Sequence, residues 1–185
     1  PVSTPSGLTI SDLNVSNGKS YQVDKVSQGG LLYIDRNYTI TNFPAGFNNG
    51  LIIKTAADDK FETATSFLRF RVNRAADIYV AYDRRASVLP NWLSSQFTKA
   101  SGMTVGASEP NLSYFNLYKK TLNEAGEVVL GGNYASPANG AQISYVVFVV
   151  EKEVVNTPTP TPTPATLEVY NLNPSRYRVV SLATG

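Results

Sequence analysis

Residues 67–93 read FLRFRVNRAADIYVAYDRRASVLPNWL, and the fold class turns on this stretch. Leu68, Phe70 and Val72 alternate with Arg69 and Arg71, the period-two pattern of a strand with one buried face. Ile78, Val80 and Tyr82 then run in phase, with Tyr79 and Ala81 opposed, so a second strand follows at once. The polar residues between them predict a hairpin turning through 73–77. The second strand feeds the cluster Tyr82-Asp83-Arg84-Arg85, and a Pro90-Asn91-Trp92 corner follows. Residues 87–99 contain Pro90 and a short apolar group, Trp92, Leu93 and Phe97, at spacings that allow one helical turn, so at most a short helix sits here.

Outward from this stretch the pattern repeats. Leu8, Ile10 and Leu13 make a first strand, Asn17-Gly18 a turn, and Tyr21 and Val23 a second extended segment broken by Gly29-Gly30. Residues 31–40, LLYIDRNYTI, continue in β fashion, with Asp35-Arg36-Asn37 marking a bulge or a strand end. Leu51-Ile52-Ile53 is a short apolar run between turn clusters, which suits a buried strand. Residues 101–102 close the helical segment, 112–118 form a strand, 119–125 are polar, 128–130 form another strand, and 143–150 form the most hydrophobic strand of all. Strands recurring at about ten to fifteen residues with turn chemistry between them predict an all-β fold, an antiparallel β-sandwich of jelly-roll type.

Composition agrees. The chain of 185 residues carries 11 Tyr, 8 Phe, 13 Gly and 11 Pro against one Met, a usage that favours strands and turns. Cys and His are both absent, which removes disulfides, thiolate nucleophiles, His-dependent triads and the usual zinc sites. A net charge of +2, with no clustering of basic residues, argues against nucleic acid as a partner. No apolar run reaches the length of a membrane helix, so no membrane insertion is expected. Pro1 reads as the start of a fragment rather than of translation.

Residues 156–164, NTPTPTPTP, form a Thr-Pro tract that favours polyproline II and acts as a semi-rigid spacer. Beyond it, LEVYNLNPS (167–175) aligns with LTISDLNVS (8–16), and YRVVSLATG (177–185) with YQVDKVSQG (21–29). The expected organisation is therefore a linker remnant at 1–6, a sandwich domain at 7–155, a Thr-Pro linker at 156–165, and the opening segment of a second, truncated repeat at 166–185. In that segment Leu167, Val169, Tyr177 and Val179 would be the residues that add to an exposed sheet edge.

For ligand recognition, Trp92 and Tyr82 are candidate platforms for a sugar's C–H face, and Arg84, Arg85 and Asn91 candidate partners for its hydroxyls or carboxylates. The competing reading puts Trp92 at one end of the core and has Asp83 pin a loop through Arg84 or Arg36. Asp58, Asp59 and Glu62 are oxygen donors close enough in sequence to suggest Ca²⁺, but no calcium-loop pattern surrounds them and a solvated turn is the better account. No other cofactor is expected. The remaining carboxylates, among them Asp35, Asp77, Glu109 and Glu124, are scattered without a catalytic motif, so enzymatic activity is not expected.

YVAYDRRASVLPNWL (79–93), together with YIDRNYTI, TAADDK and VVLGGN, resembles a module of bacterial secreted proteins that is appended to polysaccharide-active enzymes or strung along surface proteins. The resemblance covers most of residues 33–150 and implies a non-catalytic β-sandwich akin to carbohydrate-binding modules, with no catalytic residues to carry over. Taken together, the expectation is an extracellular or cell-surface bacterial repeat that binds polysaccharide or a cell-surface glycan and gains avidity from neighbouring copies. The alternatives are an adhesin or appendage repeat that assembles by strand addition, and an accessory module of an enzyme. Trp92 divides the first two: exposed in a groove with Arg84 or Arg85, it favours glycan; buried while residues 167–180 pair with a sheet edge, it favours assembly.

Overall fold

A computed structural model describes residues 7–152, which form two antiparallel sheets curled into a half-barrel. The smaller sheet has the order β1-β5-β9, with β1 at Ile10–Val15, β5 at Leu68–Val72 and β9 at Gly126–Leu130. The larger has the order β2-β4-β10-β6-β8-β7-β3. Its strands are β2 (Gln22–Lys25), β3 (Ile40–Asn42), β4 (Leu51–Lys54), β6 (Ala76–Asp83), β7 (Thr98–Glu109), β8 (Leu112–Leu122) and β10 (Val146–Glu151). One short helix, α1 (Asn91–Gln96), and two 3-10 turns, Ala45–Phe47 and Ala57–Phe61, complete the described elements. The all-β sandwich read from the sequence is the fold observed.

β5 behaves as its sequence demands: Leu68, Phe70 and Val72 are buried while Arg69 and Arg71 face water. It is the middle strand of its sheet, pairing Leu68 with Val15 on one side and with Leu130 on the other. The edge strand β1 bulges between Ser11 and Asn14, where Asp12 adopts a positive φ of 51°.

The predicted hairpin between β5 and β6 does not form. β6 lies in the other sheet, between β10 and β8, so residues 73–75 are a corner at which the chain changes sheets. The turn residues fit either outcome, and burial selects between them. β5 has one apolar face and one arginine face, which suits the outer layer. β6 is apolar on both faces and needs cover on both.

It receives that cover. Ile78, Val80 and Tyr82 of β6, Val147 and Val149 of β10, and Ile53 of β4 pack against Phe70, Val128 and Leu130 of the smaller sheet. From the same strands Tyr79, Ala81, Val146, Phe148 and Ile52 point the opposite way, into a second core closed by Val26, Leu32, Tyr33, Ile40 and Phe47. Residues 31–40, expected as a strand, are mainly an irregular cover over this second core, folded on itself by a Leu31–Thr39 bridge and tied beside β4 by a Tyr33–Thr55 bridge. β7 is strand where the sequence shows no alternation; only Val105, Gly106 and Ala107 along it are buried.

Burial also bears on titration. Tyr21, Tyr33, Tyr82 and Tyr145 have phenols pushed up from the ordinary tyrosine range, chiefly by burial. Folded, they hold their protons above pH ~10, where the unfolded chain loses them. Stability is therefore full below that pH and declines as pH rises past it. A base titration followed by phenolate absorbance should show the exposed tyrosines ionising first and these four only together with loss of the folded state. Smooth ionisation of all 11 tyrosines with the fold intact would contradict this core.

Candidate site: a polar cleft on one rim of the larger sheet

Antiparallel register determines where the site lies. Asp83 at the end of β6 pairs with Phe115 near the start of β8, Val146 at the start of β10 pairs with Ala81, and Glu109 at the end of β7 pairs with Leu112. The loops at these ends therefore share one rim, together with the 3-10 helix Ala57–Phe61 beyond β4. A cleft of about 220 Å³ opens there, lined among others by Arg36, Tyr38, Lys60, Arg85, Asn111 and Gln142, with Asp58 and Glu109 beside them.

Asp83 is the anchor. Its side chain is fully buried, and its carboxylate accepts hydrogen bonds from Arg85 Nε at 2.9 Å and Nη2 at 2.8 Å, from the Arg85 backbone N–H at 2.9 Å, and from the Gln142 N–H at 2.7 Å. Burial opposes its ionisation. The hydrogen bonds from Arg85 and the two backbone N–H groups outweigh burial and hold the carboxyl below the usual aspartate range. Arg85 continues outward, donating to the Asn111 carbonyl at 3.3 Å and lying 3.8 Å from Glu109. One arginine thus ties β6, the β7–β8 turn and the approach to β10 into a fixed rim. The loop pin expected at Asp83 exists, but its partner is Arg85 rather than Arg84 or Arg36.

The opposite wall is fixed in the same manner. Asp35 accepts the Ala57 N–H at 2.7 Å and the Asp58 N–H at 3.2 Å, satisfying the first donors of the 3-10 helix. Arg36 donates to Asp58 at 2.6 Å. Within this frame the Tyr38 hydroxyl, the Lys60 ammonium and the side-chain amides of Asn111 and Gln142 make no hydrogen bond or ion pair with the described residues; the Lys60 ammonium has only the Phe61 ring, 5.2 Å from its centroid. They are donors and acceptors presented to whatever enters the cleft.

The sequence-derived site is redistributed by these contacts. Arg85 lines the cleft, though much of its guanidinium is engaged by Asp83. Arg84 is exposed beside it, its guanidinium 4.8 Å from the Tyr114 ring centroid. Asn91 is exposed on α1, where its carbonyl accepts a hydrogen bond from Ser95 Oγ at 2.6 Å. Trp92 and Tyr82 are corrected outright, because both belong to the core. Trp92 is 8% exposed, donates from Nε1 to the Gly132 carbonyl at 3.0 Å, and meets Tyr145 and Phe97 edge to face. Tyr82 is fully buried, with its hydroxyl donating to the Asn133 carbonyl at 2.6 Å. Room for the indole comes from Gly131, where an added Cβ would lie 2.3 Å from Trp92 Cδ1.

The acidic trio is also pulled apart. Asp58 faces Arg36, whereas Asp59 is buried against Tyr21 Oη at 2.6 Å, the Lys19 ammonium at 2.5 Å and Asn17 Nδ2 at 3.1 Å. Glu62 accepts from the same Asn17 amide at 2.9 Å. A calcium ion there would have to displace a lysine, and no group of three or more metal-ligating side chains occurs among the described residues. Asp59 and Glu62 fasten the β1–β2 turn instead. Leu167, Val169, Tyr177 and Val179 lie outside the described residues.

Among solved structures, the chain is similar to a β-glucuronidase from glycoside hydrolase family 2, with a TM-score of 0.68 at 19% identity over 77% of this chain and 15% of that one. The fold is shared with a portion of that enzyme. A glycoside hydrolase of family 138 targeting pectin rhamnogalacturonan II aligns with a TM-score of 0.47 at 11% identity, over 80% of this chain and 17% of that one. No family profile and no curated protein matches the sequence. The chain thus spans a small part of the length of either enzyme. The expectation that it is no enzyme is corrected by the first of these: a sandwich of this fold occurs as part of a glycoside hydrolase, so the fold does not set the chain apart from enzymes.

Proposed function

We propose that this β-sandwich is the glycan-contacting domain of a carbohydrate-active enzyme acting outside the cell, and that its rim cleft holds one acidic sugar unit. The observation that carries this reading is the set of unpartnered polar ends, Tyr38, Lys60, Asn111 and Gln142, converging on a cleft whose walls are fixed by Asp83–Arg85 and Asp35–Ala57. The amides and the phenol match vicinal hydroxyls, which donate and accept. Lys60 has no carboxylate partner among the described residues, so a ligand carboxylate completes it. At about 220 Å³ the cleft falls below the ~300–1,000 Å³ of sites that enclose drug-sized ligands, a size suited to one pyranose ring. Walls held by hydrogen bonds at Asp83 and Asp35 also keep the ordering cost of binding low.

Calorimetry with trigalacturonic acid and cellotriose tests this reading. The acidic trisaccharide should bind more tightly than the neutral one by about tenfold, the effect of one charge-assisted contact. Lys60→Ala should remove that preference, and Gln142→Ala should weaken both. Equal binding of the two sugars, or binding of neither, contradicts the assignment.

A further inference from the structure

Beside the cleft stands a side chain that the fold has no structural use for. Phe61 is 68% exposed, against 41% or less for every other exposed large apolar side chain among the described residues. Isolated exposed apolar residues are common and call for no explanation, but Phe61 is neither isolated nor loose. The Tyr134 ring lies 6.1 Å away in an edge-to-face arrangement, so two aromatic rings share the surface.

The backbone beneath the pair is clamped. Asn133, itself fully buried, donates to the Lys60 carbonyl at 3.1 Å; the Tyr134 N–H donates to Glu62 O at 2.7 Å and the Gly132 N–H to Ala64 O at 2.7 Å. Asn133 is held in turn by the Tyr145 N–H, which donates to its Oδ1 at 3.1 Å, and by the Tyr82 hydroxyl on its carbonyl. Gly132 permits this approach, since a Cβ there would lie 2.2 Å from Glu62 O. A hydrogen-bond network rooted in the core therefore fixes the backbone under an aromatic surface that stays in water. The pair is also continuous with the cleft. Asp58 and Lys60, on the same 3-10 helix, line the cleft, and Lys60 Nζ sits 5.2 Å from the Phe61 ring centroid.

We propose that Phe61, supported by Tyr134, is a stacking subsite for the second pyranose ring of a glycan whose acidic unit occupies the cleft. This rests on the cleft reading. The C–H face of a sugar ring is apolar and matches an exposed aromatic face, while Lys60, placed between ring and cleft, faces the linkage and the first unit's carboxylate. The domain then reads a chain of at least two sugars, and affinity rises with length where a single-sugar site would show none.

The test compares galacturonic acid with trigalacturonic acid on the whole chain by calorimetry. The trisaccharide should bind about tenfold more tightly than the monosaccharide. Phe61→Ala should abolish that gain, weakening the trisaccharide far more than the monosaccharide, whereas Phe61→Tyr should retain it. Lys60→Ala, acting in the cleft, should weaken both ligands. If Phe61→Ala preserves the ratio of the two affinities, the stacking subsite is overturned and the cleft stands; if neither sugar binds, both are overturned.

Discussion

Replacing Trp92 with alanine should destabilise the domain by about 3–5 kcal/mol, the range for removing a buried large aromatic side chain. The indole lies among Tyr145, Phe97 and Leu93 and closes the end of the core between the two sheets. Its loss leaves a cavity and also strips the Gly132 carbonyl, on the loop that carries Asn133, of its donor. Urea unfolding of the variant reads the change directly. The wild-type protein should meanwhile show blue-shifted tryptophan emission that iodide does not quench and that no glycan alters. A cost below about 1 kcal/mol, the range of surface substitutions, or quenchable emission, would return Trp92 to the surface.

Arg85→Ala should cost about 3–5 kcal/mol by a different route, because it leaves the Asp83 carboxylate fully buried without its counter-ion. The companion test is Asp83→Ala with Arg85→Ala. Removing both charges should be milder than the sum of the single changes, since the unpaired buried charge is what carries most of the penalty. Strict additivity would contradict the direct clasp. Acid should weaken it too. The folded Asp83 carboxyl lies below its ordinary value, so its contribution is present above pH ~4 and is lost as pH falls through the folded value. Because Arg85 acts first on stability, its substitution is a poor probe of binding; Lys60, Asn111 and Gln142 are better ones.

Local pattern was enough for the sandwich. The alternation at 68–72 became β5, and the unbroken apolar runs at 78–82 and 145–150 became central strands covered on both faces. What failed was pairing and the weakest strand. Residues 73–77 resemble hairpin chemistry, yet which sheet receives β6 depends on Val80 meeting Val147 and Tyr118 far along the chain. β7, TKASGMTVGASE, has few large side chains, and its extended form comes from pairing between β3 and β8. The charged interruption at Asp35-Arg36 and the Asp58-Asp59 turn stood out in sequence. Their meaning, Asp35, Arg36 and Asp58 joined into one wall of the cleft, is a long-range fact.

The site was legible only at Arg85. Lys60, Asn111 and Gln142 are ordinary loop residues that matter because register gathers their loops on one rim. Trp92 misled for the converse reason: flanked by Pro90 and polar residues it resembles a surface platform, and its burial depends on Gly131, some forty residues away, leaving space for it.

The most direct test of the cleft is a proton–nitrogen NMR titration of the isotope-labelled chain with galacturonic acid, following the side-chain amides of Asn111 and Gln142. Both should shift together and saturably, at a common affinity that Lys60→Ala weakens. If those amides stay fixed while the sugar binds elsewhere, or if no resonance moves at all, the rim cleft is not a glycan site.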